Sequence, residues 1–65
     1  MQGLRFVISP GRDTWTLSVG RTVLGYHRSS EKALRAAVDM AKRTRGENFV
    51  MLETLDGNLE QCWPA

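Results

Sequence analysis

The sequence predicts an α+β fold: an antiparallel sheet in the order β-β-β-α-β-β, with one helix packed on one face. Three observations carry this. Residues 29–46 (SSEKALRAAVDMAKRTRG) have helical period. The stretches before it alternate apolar and polar residues at period two, and a short apolar run follows it. Gly20-Arg21 and Asp56-Gly57 supply hairpin turns where these stretches double back.

Leu4 to Ser9 alternates, with Leu4, Phe6 and Ile8 on one side and Arg5, Val7 and Ser9 on the other, as a half-buried strand does. Pro10-Gly11-Arg12-Asp13 is a turn. Thr14 to Val19 alternates more cleanly, placing Trp15, Leu17 and Val19 inward. A two-residue Gly20-Arg21 loop then fixes a register with Thr22 to His27. It pairs Val19 with Thr22, Leu17 with Leu24 and Trp15 with Tyr26 on the inner face. Ser18 with Val23, Thr16 with Gly25 and Thr14 with His27 fall on the outer face.

On a helical projection Ala33, Leu34, Ala37, Val38, Met40, Ala41 and Thr44 share one side. Glu31, Lys32, Arg35, Asp39, Lys42 and Arg43 take the other. Ser29 or Ser30 can cap the free N–H groups at the start, and Gly46 can supply a left-handed turn at the end. Small residues at 33, 37 and 41 let the helix lie close to a sheet.

Asn48 to Thr54 follows as an apolar strand. A two-residue Asp56-Gly57 loop pairs Val50 with Trp63 and Leu52 with Gln61, turning Val50, Leu52, Leu59 and Trp63 inward. It also sets Glu53 opposite Glu60, a like-charge conflict. The same phase leaves Phe49, Met51 and Cys62 on the outer face with Val7 and Val23. One helix cannot cover both faces, so these five residues are a candidate interface. Strand order is not fixed by this pattern, and a parallel pair across the helix is compatible with it.

A chain of 65 residues makes one domain and buries only about 60% of its unfolded surface. Disulfides, metal or a partner subunit usually support such a domain. The single cysteine excludes an internal disulfide, and no Cys/His cluster offers a zinc site. No signal-peptide pattern or membrane-length apolar run occurs, which leads to the expectation of a cytoplasmic protein with no membrane partner. The net charge of +2 conceals an asymmetry. All nine Lys and Arg lie in residues 1–45 with three acids, leaving +6 there; residues 46–65 hold four acids and no base, leaving −4.

No catalytic constellation, cofactor motif or small-molecule site emerges. His27 has no nucleophile or carboxylate beside it and reads as a surface histidine. Cys62 lacks an activating histidine and reads as a half-buried thiol. Trp15 and Trp63 occupy core positions rather than stacking platforms. The expectation is a protein that is not an enzyme. Arg28, Lys32, Arg35, Lys42 and Arg43 form a basic stripe that could contact phosphates. Asp39 interrupts it, and the acidic C-terminal stretch would repel a polyanion.

Val7-Ile8-Ser9-Pro10 and Trp15, the Ser29 cap, Ala33-x-x-x-Ala37-x-x-x-Ala41-Lys42, Gly46 and Asp56-Gly57 together resemble the small bacterial domain-of-unknown-function family 2188. The resemblance spans nearly the whole chain and implies the fold and a bacterial setting, with no activity to carry over. The sequence departs from it at Lys32, where an acid would complete a capping box, and in its Cys62-Trp63 ending. Three strands followed by a helix also resemble the arm-binding domains of phage-type integrases, which would set Arg5, Thr14, Thr16 and Ser18 against DNA. The element order further resembles antitoxins of the HicB type. Two expectations result. The leading one is a binding module acting through a protein partner or a second copy of itself; the other is nucleic-acid binding.

Overall fold

Ile8 faces Leu17 on one neighbouring strand and Leu52 on the other, while Phe6 faces Val50. These contacts place the first strand at the centre of the fold. The computed structural model describes residues 3–64. Its elements are β1 (Arg5–Pro10), β2 (Trp15–Val19), β3 (Thr22–His27), α1 (Ser30–Arg43), β4 (Phe49–Glu53) and β5 (Leu59–Trp63). They form the α+β arrangement that the sequence predicts: one five-stranded sheet, ordered β3-β2-β1-β4-β5, with the helix on one face. The sheet is mixed, because β1 and β4 run parallel, which is the pairing the pattern left open.

The core lies between α1 and the three middle strands. Phe6, Ile8, Leu17 and Val50 are buried from the sheet, and Ala33, Ala37 and Ala41 from the helix. Alanine at every fourth position lets the helix backbone settle onto the sheet, so four apolar side chains suffice to fill the gap. Each of these four contributes about 1.5–3 kcal/mol by leaving water. Trp15, Val19, Leu52 and Trp63 pack around this centre half-buried.

Both helix ends are closed by side chains. Ser29 is the N-cap, its hydroxyl accepting from the Lys32 N–H at 3.1 Å. At the other end the expected glycine stop is displaced. Thr44 already leaves the helix with extended backbone, and Gly46 takes its positive φ of 106° two residues later. The exposed carbonyls there are satisfied by side chains instead. The Thr44 hydroxyl donates to Met40 O at 2.8 Å. Asn48 Nδ2 donates to Ala41 O at 3.0 Å and to Thr44 O at 2.7 Å. Asn48 Oδ1 accepts from the Leu4 N–H at 2.9 Å. At 4% exposure, this amide fastens the helix end to the start of β1. Beside it the Glu47 carbonyl lies so close to Gly3 that a Cβ there would collide with it.

Both hairpins depart from the expected register, each at one extra residue. The Gly20-Arg21 loop is as expected, with Gly20 at φ 59° and the pairs Val19–Thr22 and Ser18–Val23. Beyond them a bulge at Leu24 shifts the partners, so Leu17 meets Gly25, Thr16 meets Tyr26 and Trp15 meets His27. Because side chains alternate along a strand, one inserted residue carries Tyr26 to the outer face and His27 to the covered one. The second turn has three residues, 55–57, closed by Gly57 N–H donating to Thr54 O at 2.9 Å with Gly57 at φ 87°. Glu53 therefore meets Leu59 and Leu52 meets Glu60, which removes the like-charge pair and turns Leu59 outward. A compensating bulge at Cys62 restores Val50 opposite Trp63.

Candidate interaction surface

The face of the sheet away from α1 is built by the alternate residues of all five strands. Arg5, Val7 and Ser9 come from β1, Thr16 and Ser18 from β2, and Val23 and Tyr26 from β3. Phe49, Met51 and Glu53 come from β4, and Leu59 and Gln61 from β5. Of the five residues expected to form the interface, Val7, Val23, Phe49 and Met51 are here. Cys62 is not: its bulge turns it to the helix side, where it lines a depression with Ser30, Leu34 and Leu52. Two residues assigned inward by the pattern, Tyr26 and Leu59, join the face instead, and both are open to solvent at 66% and 47% exposure. The bulges are what moved all three.

Six large apolar side chains thus share a surface that no element of the described residues covers. Val7 and Met51 are neighbours at its centre. Phe49, Met51, Leu59 and Gln61 surround a shallow depression beside Arg5. Among the described strand residues, the face carries one base and one acid, set at opposite ends. Arg5 stands beside Phe49 at one end, and Glu53 stands beside Ser9 at the other. The Ser9 hydroxyl donates to Glu53 Oε1 at 3.1 Å, holding the carboxylate over β1.

The basic stripe lies on the solvent side of α1, with Lys32, Arg35, Lys42 and Arg43 all exposed and Arg28 exposed just before it. Arg35 sits 3.9 Å from Glu31, and Arg43 sits 3.3 Å from Asp39, both across one helical turn. Such exposed pairs stabilise a helix by a few tenths of a kcal/mol. Their larger effect here is to dilute the positive field of the stripe.

Cys62 is half-buried, and its Sγ lies 3.8 Å from Glu60 O. Burial raises its thiol above the ordinary range, and the Glu60 carboxylate adds to the effect. This is the opposite of what a nucleophilic cysteine requires. His27 folds over Gly25 on the covered side, with no nucleophile paired to it. Among the described residues, no three His, Cys, Asp or Glu side chains come together, and no helix is long and apolar enough to cross a membrane. A groove of about 460 Å³ opens between the helix and β3, lined by the apolar Leu4, Phe6, Val19, Leu24 and Met40 together with Thr22, Arg43 and Thr44.

Set against family models, curated proteins and solved structures, the chain matches none of them.

Proposed function

We propose that this chain is a non-enzymatic interaction module that works through protein–protein contact at the helix-free face of its sheet. One observation carries the reading: Val7, Phe49, Met51 and Leu59 adjoin across β1, β4 and β5 on a face that no element of the described residues covers, with Val23 and Tyr26 on β3 beyond Thr16 and Ser18 of β2. Sheets of this kind stay in water on one side when that side is polar. Here the central strands present valine, phenylalanine and methionine to it. Scattered apolar residues need no explanation, but apolar side chains adjoining across three neighbouring strands of an uncovered face mark a contact surface.

A single half-buried cysteine fits a reducing cytoplasm, and the proposed setting is therefore cytoplasmic and, following the resemblance to family 2188, bacterial. Nucleic-acid binding through Arg28, Lys32, Arg35, Lys42 and Arg43 is the second reading. It draws less support, because two of the five cations are engaged by Glu31 and Asp39.

Replacing Phe49 with Thr and Met51 with Lys tests the face. These changes should leave far-ultraviolet dichroism unchanged while abolishing association seen by light scattering. A double variant that associates like the wild type would refute the role of this face.

A further inference from the structure

The helix-free face carries its charges in a pattern that fits itself. Taking the proposed contact face as given, we infer that its occupant is a second copy of the chain, docked about a two-fold axis running across the strands through Val7 and Met51.

Val7 and Met51 are direct partners at the centre of the patch. Arg5 lies two residues before Val7, and Glu53 lies two residues beyond Met51, so each is about 7 Å from that centre in opposite directions. A two-fold axis across the strands reverses the strand direction of the second copy. The partner's Arg5 then comes over the Ser9 end of the first copy, where the Ser9 hydroxyl already holds the Glu53 carboxylate toward β1. The reciprocal pair forms at the other end, as an isologous contact requires. Face-to-face sheets lie about 10 Å apart, a gap that an arginine and a glutamate span together. Turning the axis parallel to the strands brings the two Arg5 ends over each other, so the charges select one orientation.

One further observation agrees with a second copy. Among the described residues the ion pairs are Arg35–Glu31 and Arg43–Asp39, leaving Arg5 and Glu53 without an ionic partner within the chain.

The test is charge exchange. Arg5→Glu sets two acids against each other twice in the dimer, and Glu53→Arg sets two bases against each other. Each variant alone should associate roughly tenfold or more weakly than the wild type. An equimolar mixture restores both pairs and should form a heterodimer with close to wild-type affinity. Glu53→Gln, which still accepts from Ser9, should weaken association by a smaller factor and covers the case in which a reversal disturbs the fold. Met51→Lys separates the two levels of the inference. If Met51→Lys abolishes association but the charge variants behave as wild type, or their mixture fails to recover, the docking arrangement is overturned and the face survives. If the wild type is monomeric yet captures a different protein through Met51, the second copy is overturned. If Met51→Lys changes nothing, the face itself falls.

Discussion

The Ser9 hydroxyl donates to Glu53 at 3.1 Å across the parallel β1–β4 pair, and this bond aims the one acid that the described strands place on the helix-free face. It exists only because β1 and β4, 44 residues apart at this point, lie side by side. The same pairing sets Val7 beside Met51 and Arg5 beside Phe49. The surface proposed for association is therefore a product of the central parallel pair, and the hairpins on either side extend it.

The bulge at Leu24 is open to a direct comparison. Leu17 is fully buried opposite Gly25, whereas Tyr26 is exposed opposite Thr16. Leu17→Ala should destabilise the fold by about 3–4 kcal/mol in urea titrations. Tyr26→Ala should cost less than about 1 kcal/mol when measured on dilute protein. Equal losses would mean that Tyr26 packs under the helix and that the hairpin has no bulge.

Asn48 supports a second prediction. Asn48→Ala leaves the buried Ala41 carbonyl unpaired and removes the partner of the part-buried Thr44 carbonyl and Leu4 N–H, for a loss of about 1–3 kcal/mol. A domain this small has about 3–5 kcal/mol in total, so the variant should melt well below the wild type by circular dichroism. A variant as stable as the wild type would show that water satisfies the helix end unaided.

How far the sequence disclosed this depends on whether each signal is local. The helix, its Ser29 cap and the Gly20-Arg21 loop are written in neighbouring residues, and the structure has them. The Leu24 bulge was hidden because Leu24 suits the covered face in either register, so alternation raised no objection. The Cys62 bulge did leave a trace, in the like-charge conflict of Glu53 with Glu60, which the shifted pairing resolves. Asn48 left none, since its partners at Leu4 and Ala41 become neighbours only on folding. Four of the five residues expected on the outer face, Val7, Val23, Phe49 and Met51, lie on it. The fifth, Cys62, was lost to its own bulge.

The thiol gives a pH prediction. Cys62 titrates above its ordinary range in the folded chain, through burial first and Glu60 second. At about pH 8.5 it should alkylate more slowly folded than in urea. As pH rises past the ordinary thiol range, the unfolded chain loses this proton first. The associated stability is thus present below that range and lost as pH climbs through the raised value. Equal alkylation rates would contradict its half-buried placement. With Cys62 on the helix side, oxidation should not cross-link the proposed dimer.

The basic helix surface can be checked separately. A labelled generic DNA duplex should show no saturable anisotropy change with the wild type at low salt. Binding that falls steeply with added salt and vanishes on reversal of Arg35 and Lys42 would establish the second reading instead.

The central claim meets its most direct test in sedimentation equilibrium of the wild type over a concentration series reaching high micromolar. Self-association through the helix-free face predicts a mass rising from 7.3 kDa towards twice that value, with residuals fitting a monomer–dimer equilibrium. A mass that stays at 7.3 kDa throughout would contradict it.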